Sequence, residues 1–334
     1  MGTPDAPGRE PQENGLVQEA VSPPVLSIVV PCFNEADVLP ETIRRLDGLL
    51  ADLAARKQLD AKSYIVFIDD GSTDDSWNII RQHHDRSDRI KGIKLSRNFG
   101  HQPALLCGLL AVEGHCDCSV TTDADLQHRI EIIERFLERY VAGDEIVYGI
   151  KAKRNDPLLR RVTAKLFYRL MSCLGTQTIP DHADYRLLGR NALAALAQFR
   201  ESNLFLRGLV PLLGFRSSCI RYDVEPRLNG RSKYSWHKMF ALAIAGVTSF
   251  SIVPLRLASA VGLLVVLCSF AAAGFSVWAY MRGSVVPGWT SIVVAVYFFG
   301  GIQLCFLGII GEYLGKLVIE VKRRPRYLVE QRLD

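Results

Sequence analysis

The chain has 334 residues, 49% hydrophobic and 22% charged, with a formal net charge of +5. That length exceeds the usual need of one soluble core, and so mild a basic excess implies no nucleic-acid partner. Composition separates a mixed α/β body from an apolar C-terminal part, so one large domain joined to a membrane unit is expected.

Residues 1–24 are rich in Pro, Gly, Glu and Gln, hold no apolar run and read as a disordered lead. No secretory apolar segment is present, and Ala6 stands where a myristoylation signal needs Ser or Thr. None of the eight cysteines forms a Cys-x-x-Cys pair, which fits buried small hydrophobes in a reduced cytosolic setting.

From residue 25 to 234 apolar strands alternate with amphipathic helices, the pattern of a mostly parallel sheet with helices on both faces. Strands are predicted over Leu26–Pro31, Tyr64–Asp69, Ile90–Leu95, Cys118–Thr122 and Ile146–Ile150. Helices are predicted over Val38–Leu53, Asp75–His84, Pro103–Val112, Ile130–Tyr140 and Leu158–Leu174, the last opened by Asp156-Pro157. In such sheets ligands gather at the carboxyl ends of the strands. All the acidic clusters of this chain fall there.

Two of these clusters carry the chemistry. Asp123 and Asp125 follow the fourth strand at i and i+2, pointing the same way, and Gln127 continues the row. Three oxygen donors suit a hard divalent cation, and Mg²⁺ typically takes one or two carboxylates together with substrate phosphates. A solvated acidic turn would show the same Asp-x-Asp pair, but the apolar strand before it and Gln127 after it favour the cation. The run Asp69-Asp70-Gly71-Ser72-Thr73-Asp74 ends the second strand and turns at glycine. Thr73 or Asp74 would cap the next helix, whereas the Asp69 and Asp70 carboxylates suit hydrogen bonds from a base edge or a ribose. Pro31-Cys32-Phe33-Asn34-Glu35 closes the first strand in the same manner. Ser96-Arg97-Asn98-Phe99-Gly100-His101 closes the third with a cation near where phosphates would lie, and His101 reads as a helix-entry or surface histidine.

Beyond the body, residues 235–255 include Trp236, Met239, Phe240, Leu242, Ile244 and Val247 beside His237 and Lys238, an amphipathic stretch suited to the membrane interface. Residues 256–312 then hold two charge-free runs, about 257–281 and 289–311, each exceeding the roughly 20 apolar residues that cross hydrocarbon. A transmembrane hairpin is expected, closed by a basic tail over 313–334. Lys233, Lys238 and Arg256 precede the first run, and Lys316, Lys322, Arg323, Arg324 and Arg326 follow the second, against Arg282 alone between them. This bias puts the body and both termini on the cytoplasmic side of the plasma (inner) membrane.

Taken in order, Val29-Val30-Pro31-Cys32-Phe33-Asn34-Glu35, Ile68 to Asp74, Leu95 to Gly100, Asp123 to Gln127, Asp184-Tyr185-Arg186-Leu187 and Gly230-Arg231-Ser232-Lys233-Tyr234-Ser235 resemble glycosyltransferase family 2 enzymes of the GT-A fold. More narrowly, the chain looks like the polyisoprenyl-phosphate glycosyltransferases, with a GT-A catalytic domain over 25–234. The resemblance implies a donor pocket lined by Pro31, Asn34, Glu35, Asp69, Asp70, Ser72, Asn98 and Asp123. It also implies Mg²⁺ or Mn²⁺ held by Asp123, Asp125 and Gln127. Asp184, Asp125 and Arg186 would stand at the reacting sugar. One departure is visible: relatives continue past Leu-Gln with a proline-containing turn, where this chain has His128-Arg129-Ile130.

The resemblance further implies a nucleotide-sugar donor, a polyprenyl-phosphate acceptor in the membrane, and a homo-oligomer such as a tetramer. UDP-glucose with undecaprenyl phosphate is the expected pair, because the hairpin layout resembles the bacterial enzymes; GDP-mannose with a dolichyl-type acceptor is the alternative. A lipid phosphate has a second pKa of about 6, so its oxygen is already a nucleophile at neutral pH and a strong general base is less necessary. Cations that bind and align it are needed instead, and Arg154, Arg207, Arg231 and Lys233 are the candidates, with Arg160 and Arg161 nearby. A processive polysaccharide synthase would need more spans and a Gln-x-x-Arg-Trp motif, both lacking here. A non-catalytic membrane adaptor is the reading from another class, opposed by the intact Asp123, Asp125 and Asp184.

Overall fold

The computed structural model describes residues 22–125, 128–151, 182–201, 206–222, 253–282 and 288–334. The expected helix over 158–174, the interfacial stretch over 235–250, and Gln127, Arg154, Arg231 and Lys233 lie outside them.

The chain alternates as anticipated through β1 (Leu26–Cys32), α1 (Leu39–Ala55), β2 (Tyr64–Asp69), α2 (Ser76–His84), β3 (Ile90–Leu95), α3 (His101–Val112), β4 (Cys118–Thr121), α4 (Ile132–Val141) and β5 (Ile146–Lys151). After the undescribed segment come β6 (His182–Gly189), α5 (Arg190–Ala197), α6 (Leu206–Leu212), β7 (Ser217–Tyr222), α7 (Val253–Met281), α8 (Trp289–Val321) and β8 (Val329–Leu333). One eight-stranded sheet runs in the order β7-β5-β6-β4-β1-β2-β3-β8.

Every residue of β1 and β2 is buried, as their unbroken apolar runs require of central strands covered on both faces. The α1 helix turns Leu39, Ile43, Leu46, Leu50 and Leu53 to one side, a helical repeat that packs on the sheet. The core is therefore double: one cluster joins α1, α2 and α4 to the sheet, and another joins α3, α5 and α6 to the opposite face. Gly108 brings α3 close to the sheet, since a Cβ there would overlap Val29 Cγ1.

The sheet is mostly parallel, with two reversed strands, β6 and β8. β1, β2, β3 and β4 are parallel, as are β5 and β7, but β6 runs antiparallel to both its neighbours and β8 antiparallel to β3. The reversal of β6 has a functional consequence: its first residues arrive at the same edge where β1 to β4 end. Thr121 pairs with Arg186, which sets Asp184 beside the loop that follows β4.

Among the described residues Phe298–Val321, the greater part of α8, is long and apolar enough to cross a membrane. The residues expected to form a basic tail, 313–334, hold the end of α8 and then β8. In β8, Gln331 pairs with Lys94 and Leu333 with Gly92. The Trp77 indole donates to the Gln331 side chain at 2.9 Å, Lys94 pairs with Glu330 at 3.2 Å, and the Arg326 guanidinium reaches the Phe199 carbonyl at 2.7 Å. So short and polar a segment carries no strand periodicity of its own; the open edge of β3 organises it. Deleting residues 327–334 removes the Leu333 packing and the Trp77 bond, a loss of about 2–3 kcal/mol. The melting temperature is expected to fall by about 5–10 °C; an unchanged melting curve would show that β8 contributes nothing.

Candidate active site

Four loops meet at the carboxyl edge of the sheet. The one after β1 and the one after β2 are tied together: Asn34 N–H donates to Ser72 Oγ at 2.9 Å, and Thr73 N–H donates to Asn34 Oδ1 at 2.8 Å. Glu35 N–H donates to Ser76 Oγ at 3.0 Å and Ala36 N–H to Asp74 Oδ2 at 3.0 Å. Asn34 adopts a left-handed φ of 54°, which an asparagine tolerates better than most side chains. Pro31 is buried within β1, opposite Ile68.

Asp69 and Asp70 have different duties. Both oxygens of Asp70 face the loop after β3, accepting from Phe99 N–H and Gly100 N–H at 2.8 Å each. Asp69 Oδ1 accepts from Ser72 N–H at 3.3 Å, while its Oδ2 is buried without a hydrogen-bond partner among the described residues. A buried orphan oxygen at a loop edge calls for a donor from elsewhere. Burial raises the pKa of both carboxyls, against the hydrogen bonds that would lower it. Gly71 has φ +69°, and a Cβ there would sit 2.7 Å from Arg97 Cα, so only glycine lets the two loops close on each other. Arg97 covers the Phe99 ring at 4.1 Å and bonds the carbonyl of the exposed Asn98 at 3.2 Å.

The third part is a charged cluster around Asp184. This carboxylate is 6% exposed. The buried Arg186 donates to its Oδ1 at 2.7 Å, and Arg207 of α6 donates to Oδ1 at 3.2 Å and Oδ2 at 3.0 Å. The Gln102 amide donates to Oδ2 at 3.2 Å while its own carbonyl accepts from Leu206 N–H at 3.1 Å. Thr121 Oγ1 donates to the Asp184 carbonyl, fixing β6 to β4. Desolvation works against charge on Asp184, but the hydrogen bond from His101 and the Arg186 and Arg207 charges outweigh it, so its pKa lies far below the ordinary carboxylate range. Arg186 is fully enclosed, its other bond going to the Leu206 carbonyl at 3.2 Å. The structure thus shows it supporting Asp184 from behind.

Asp123 and Asp125 are both partly exposed, and between them Ala124 is buried with its carbonyl accepting from Thr42 Oγ1 at 2.7 Å. His128 Nε2 lies 3.2 Å from Asp123 Oδ2, and His101 Nε2 lies 3.8 Å from Oδ1 and 3.5 Å from Asp184 Oδ2. Desolvation opposes ionisation of Asp123, yet the His128 hydrogen bond and the His101 charge lower its pKa overall. His101 is raised in turn: desolvation lowers its pKa, but the bond to Asp184 and the Asp123 charge prevail. Read as a helix-entry residue, His101 does open α3, but it also bridges the two aspartates. His128 was missed because its partners Tyr185 and Tyr222 are remote in sequence; the absent proline turn was the sole local sign of it.

The donor chemistry here fits a divalent cation. Among the described residues no group of three or more His, Cys, Asp or Glu side chains makes an all-protein cage. Two partly exposed carboxylates at the strand ends suit Mg²⁺ or Mn²⁺ completed by phosphate oxygens and water.

An α/β enzyme with acidic residues gathered at the carboxyl ends of its strands is what this fold and site define. The chain belongs to glycosyl transferase family 2, whose model matches residues 27–197. It is a glycosyltransferase. An uncharacterized glycosyltransferase, YkoT, of Bacillus subtilis (strain 168) is 43% identical over 311 residues, covering 92% of each chain. The bactoprenol glucosyl transferase of Shigella phage SfX is 36% identical over 316 residues, covering 92% of this chain and 99% of that one. A solved mannosyltransferase from Pyrobaculum calidifontis, in complex with GDP-Man and Mn²⁺, is 16% identical with a TM-score of 0.47, covering 87% of both chains.

Proposed function

We propose that this enzyme transfers a hexose, glucose from UDP-glucose, onto a polyprenyl phosphate such as undecaprenyl phosphate, with inversion at the anomeric carbon. The observation that carries this reading is the convergence of the β1 and β2 loops, the half-exposed Asp123 and Asp125, and the buried Asp184 on one edge of the sheet. Likeness to a phage bactoprenol glucosyl transferase along nearly the whole chain supports the lipid acceptor.

In this mechanism the orphan Oδ2 of Asp69 accepts a hydrogen bond from the nucleoside, and Asn34, Glu35, Ser72 and Asn98 shape the surrounding wall. Asp123 and Asp125, with Gln127, would hold the divalent cation. That cation, when bound, neutralises the charge on the departing nucleoside diphosphate. Asp184, kept ionised by Arg186 and Arg207, orients groups at the reacting sugar. The acceptor phosphate oxygen, already ionised at neutral pH, attacks the anomeric carbon in line as the bond to the nucleoside diphosphate breaks, so no side chain need remove a proton. Arg154, Arg231 and Lys233 bind that phosphate; Arg207, half-exposed and bonded to Asp184, joins the two halves of the site.

The uncharged 257–281 and 289–311 stretches of α7 and α8 form a two-span hairpin in the plasma membrane, with the catalytic domain and both termini cytoplasmic and the chains associating as a homo-oligomer. The decisive experiment incubates the purified detergent-solubilised protein with undecaprenyl phosphate, Mn²⁺ and a panel of nucleotide sugars. Glucose transfer from UDP-glucose is expected. Turnover with GDP-mannose alone would replace the donor, and absence of transfer from every nucleotide sugar by folded protein would leave the adaptor reading.

A further inference from the structure

His128 has no role in the transfer described so far, yet its ring is held on every side. It is 3% exposed. Nδ1 lies 2.6 Å from the Tyr222 hydroxyl and Nε2 lies 3.2 Å from Asp123 Oδ2. The ring stacks on Tyr185, centroids 4.9 Å apart and planes at 22°, and Tyr222 meets it edge-on at 5.5 Å. Tyr185 is itself pinned, donating its hydroxyl to the Arg129 carbonyl at 2.9 Å.

The carboxylate partner fixes one direction, because an ionised carboxylate only accepts. Nε2 therefore carries the hydrogen toward Asp123, and Nδ1 shares a hydrogen bond with the Tyr222 hydroxyl. Asp123 Oδ2 is held from behind by this bond, which leaves Oδ1 directed to the side where His101 and Asp184 lie. Hydrogen bonding of a carboxylate through one oxygen fixes the direction of the other, and such support commonly decides how well a carboxylate binds a cation.

We infer that Tyr222 and His128 form a hydrogen-bonded relay that positions Asp123 for the divalent cation and the donor diphosphate. The relay rests on the proposed reading of Asp123 as a cation ligand. It spans the sheet: Tyr222 is on β7, at one edge, and Asp123 follows β4, three strands in. A histidine retained only to fill the core would need neither directed bond, which makes the two roles separable.

The test uses the full-length protein in detergent, with Mn²⁺ binding in the presence of UDP followed by the paramagnetic resonance of free Mn²⁺. Tyr222→Phe deletes the hydroxyl alone; His128→Gln keeps a donor near the Nε2 position, whereas His128→Asn withdraws it. Tyr222→Phe and His128→Asn are expected to weaken Mn²⁺ binding about 10- to 100-fold, and His128→Gln to restore much of it. Transfer by these variants should recover at saturating Mn²⁺. Should His128→Asn fail to fold, Tyr222→Phe carries the test. Wild-type Mn²⁺ affinity in the variants, whatever their melting temperatures, would overturn the relay. A wild-type protein that binds no Mn²⁺ with UDP would overturn the cation reading, and the relay with it.

Discussion

Replacing Asp184 with alanine is expected to abolish detectable transfer and to destabilise the fold by about 3–5 kcal/mol, the usual consequence of breaking a buried ion pair from one side. Arg186 is the reason. Its guanidinium is fully enclosed, its Nε has no hydrogen-bond partner among the described residues, and the Asp184 carboxylate accepts from it at 2.7 Å. Without that carboxylate a buried cation keeps, among the described residues, the Leu206 carbonyl. Asp184→Asn separates the catalytic from the structural contribution: the amide keeps the side chain's volume but presents an N–H₂ group to one of the arginine donors. Its melting temperature should fall less than that of the alanine variant, while turnover falls comparably. An Asp184→Asn enzyme with full turnover would remove Asp184 from the reaction.

The same carboxylate sets an acid limit. Its folded-state pKa is depressed, so the unfolded chain, with an ordinary aspartate pKa of about 3.9, takes up the proton first. The stabilisation is fully present above that value and is lost as pH falls toward the depressed one. Wild-type melting temperature should therefore drop more steeply below about pH 4 than that of Asp184→Asn. Parallel curves would contradict the ion-pair account.

Local sequence was enough to place β2 and β3 at their observed ends, and β1, α1, β4 and β5 to within a few residues, because apolar runs closed by Gly, Pro or Asp are short-range signals. The same signals put Asp69, Asp123 and Asn34 at strand exits. What they did not carry is partnership. Asp70 resembles Asp69 in sequence, yet the Phe99 and Gly100 amides, 29 and 30 residues away, bond both its oxygens. Arg186 shares a motif with Asp184, but its position on β6 encloses it. β8 exists because the edge of β3 is open to it, and the link from Tyr222 to His128 bridges 94 residues. In each case the deciding contact is tertiary, and periodicity is blind to it.

Asp125→Ala makes the complementary expectation: transfer should fall about 10²- to 10³-fold with little change in melting temperature. The activity loss follows from removing one cation ligand, which forfeits several kcal/mol of charge stabilisation on the leaving diphosphate, at about 1.4 kcal/mol per tenfold in rate. The small stability effect follows from its place in a partly exposed turn that the Ala124 carbonyl, bonded to Thr42, anchors to the body. Asp123→Ala should differ in kind. It also strands the buried His128, which keeps its Tyr222 partner but loses the acceptor for Nε2, so activity and melting temperature should fall together. Excess chelator should reproduce the Asp125→Ala rate in the wild type, and added Mn²⁺ should restore the wild type but not the variant. Undiminished transfer in chelator would rule out the cation, because the carboxylate pair would then face the diphosphate with no positive charge between them and could only repel it.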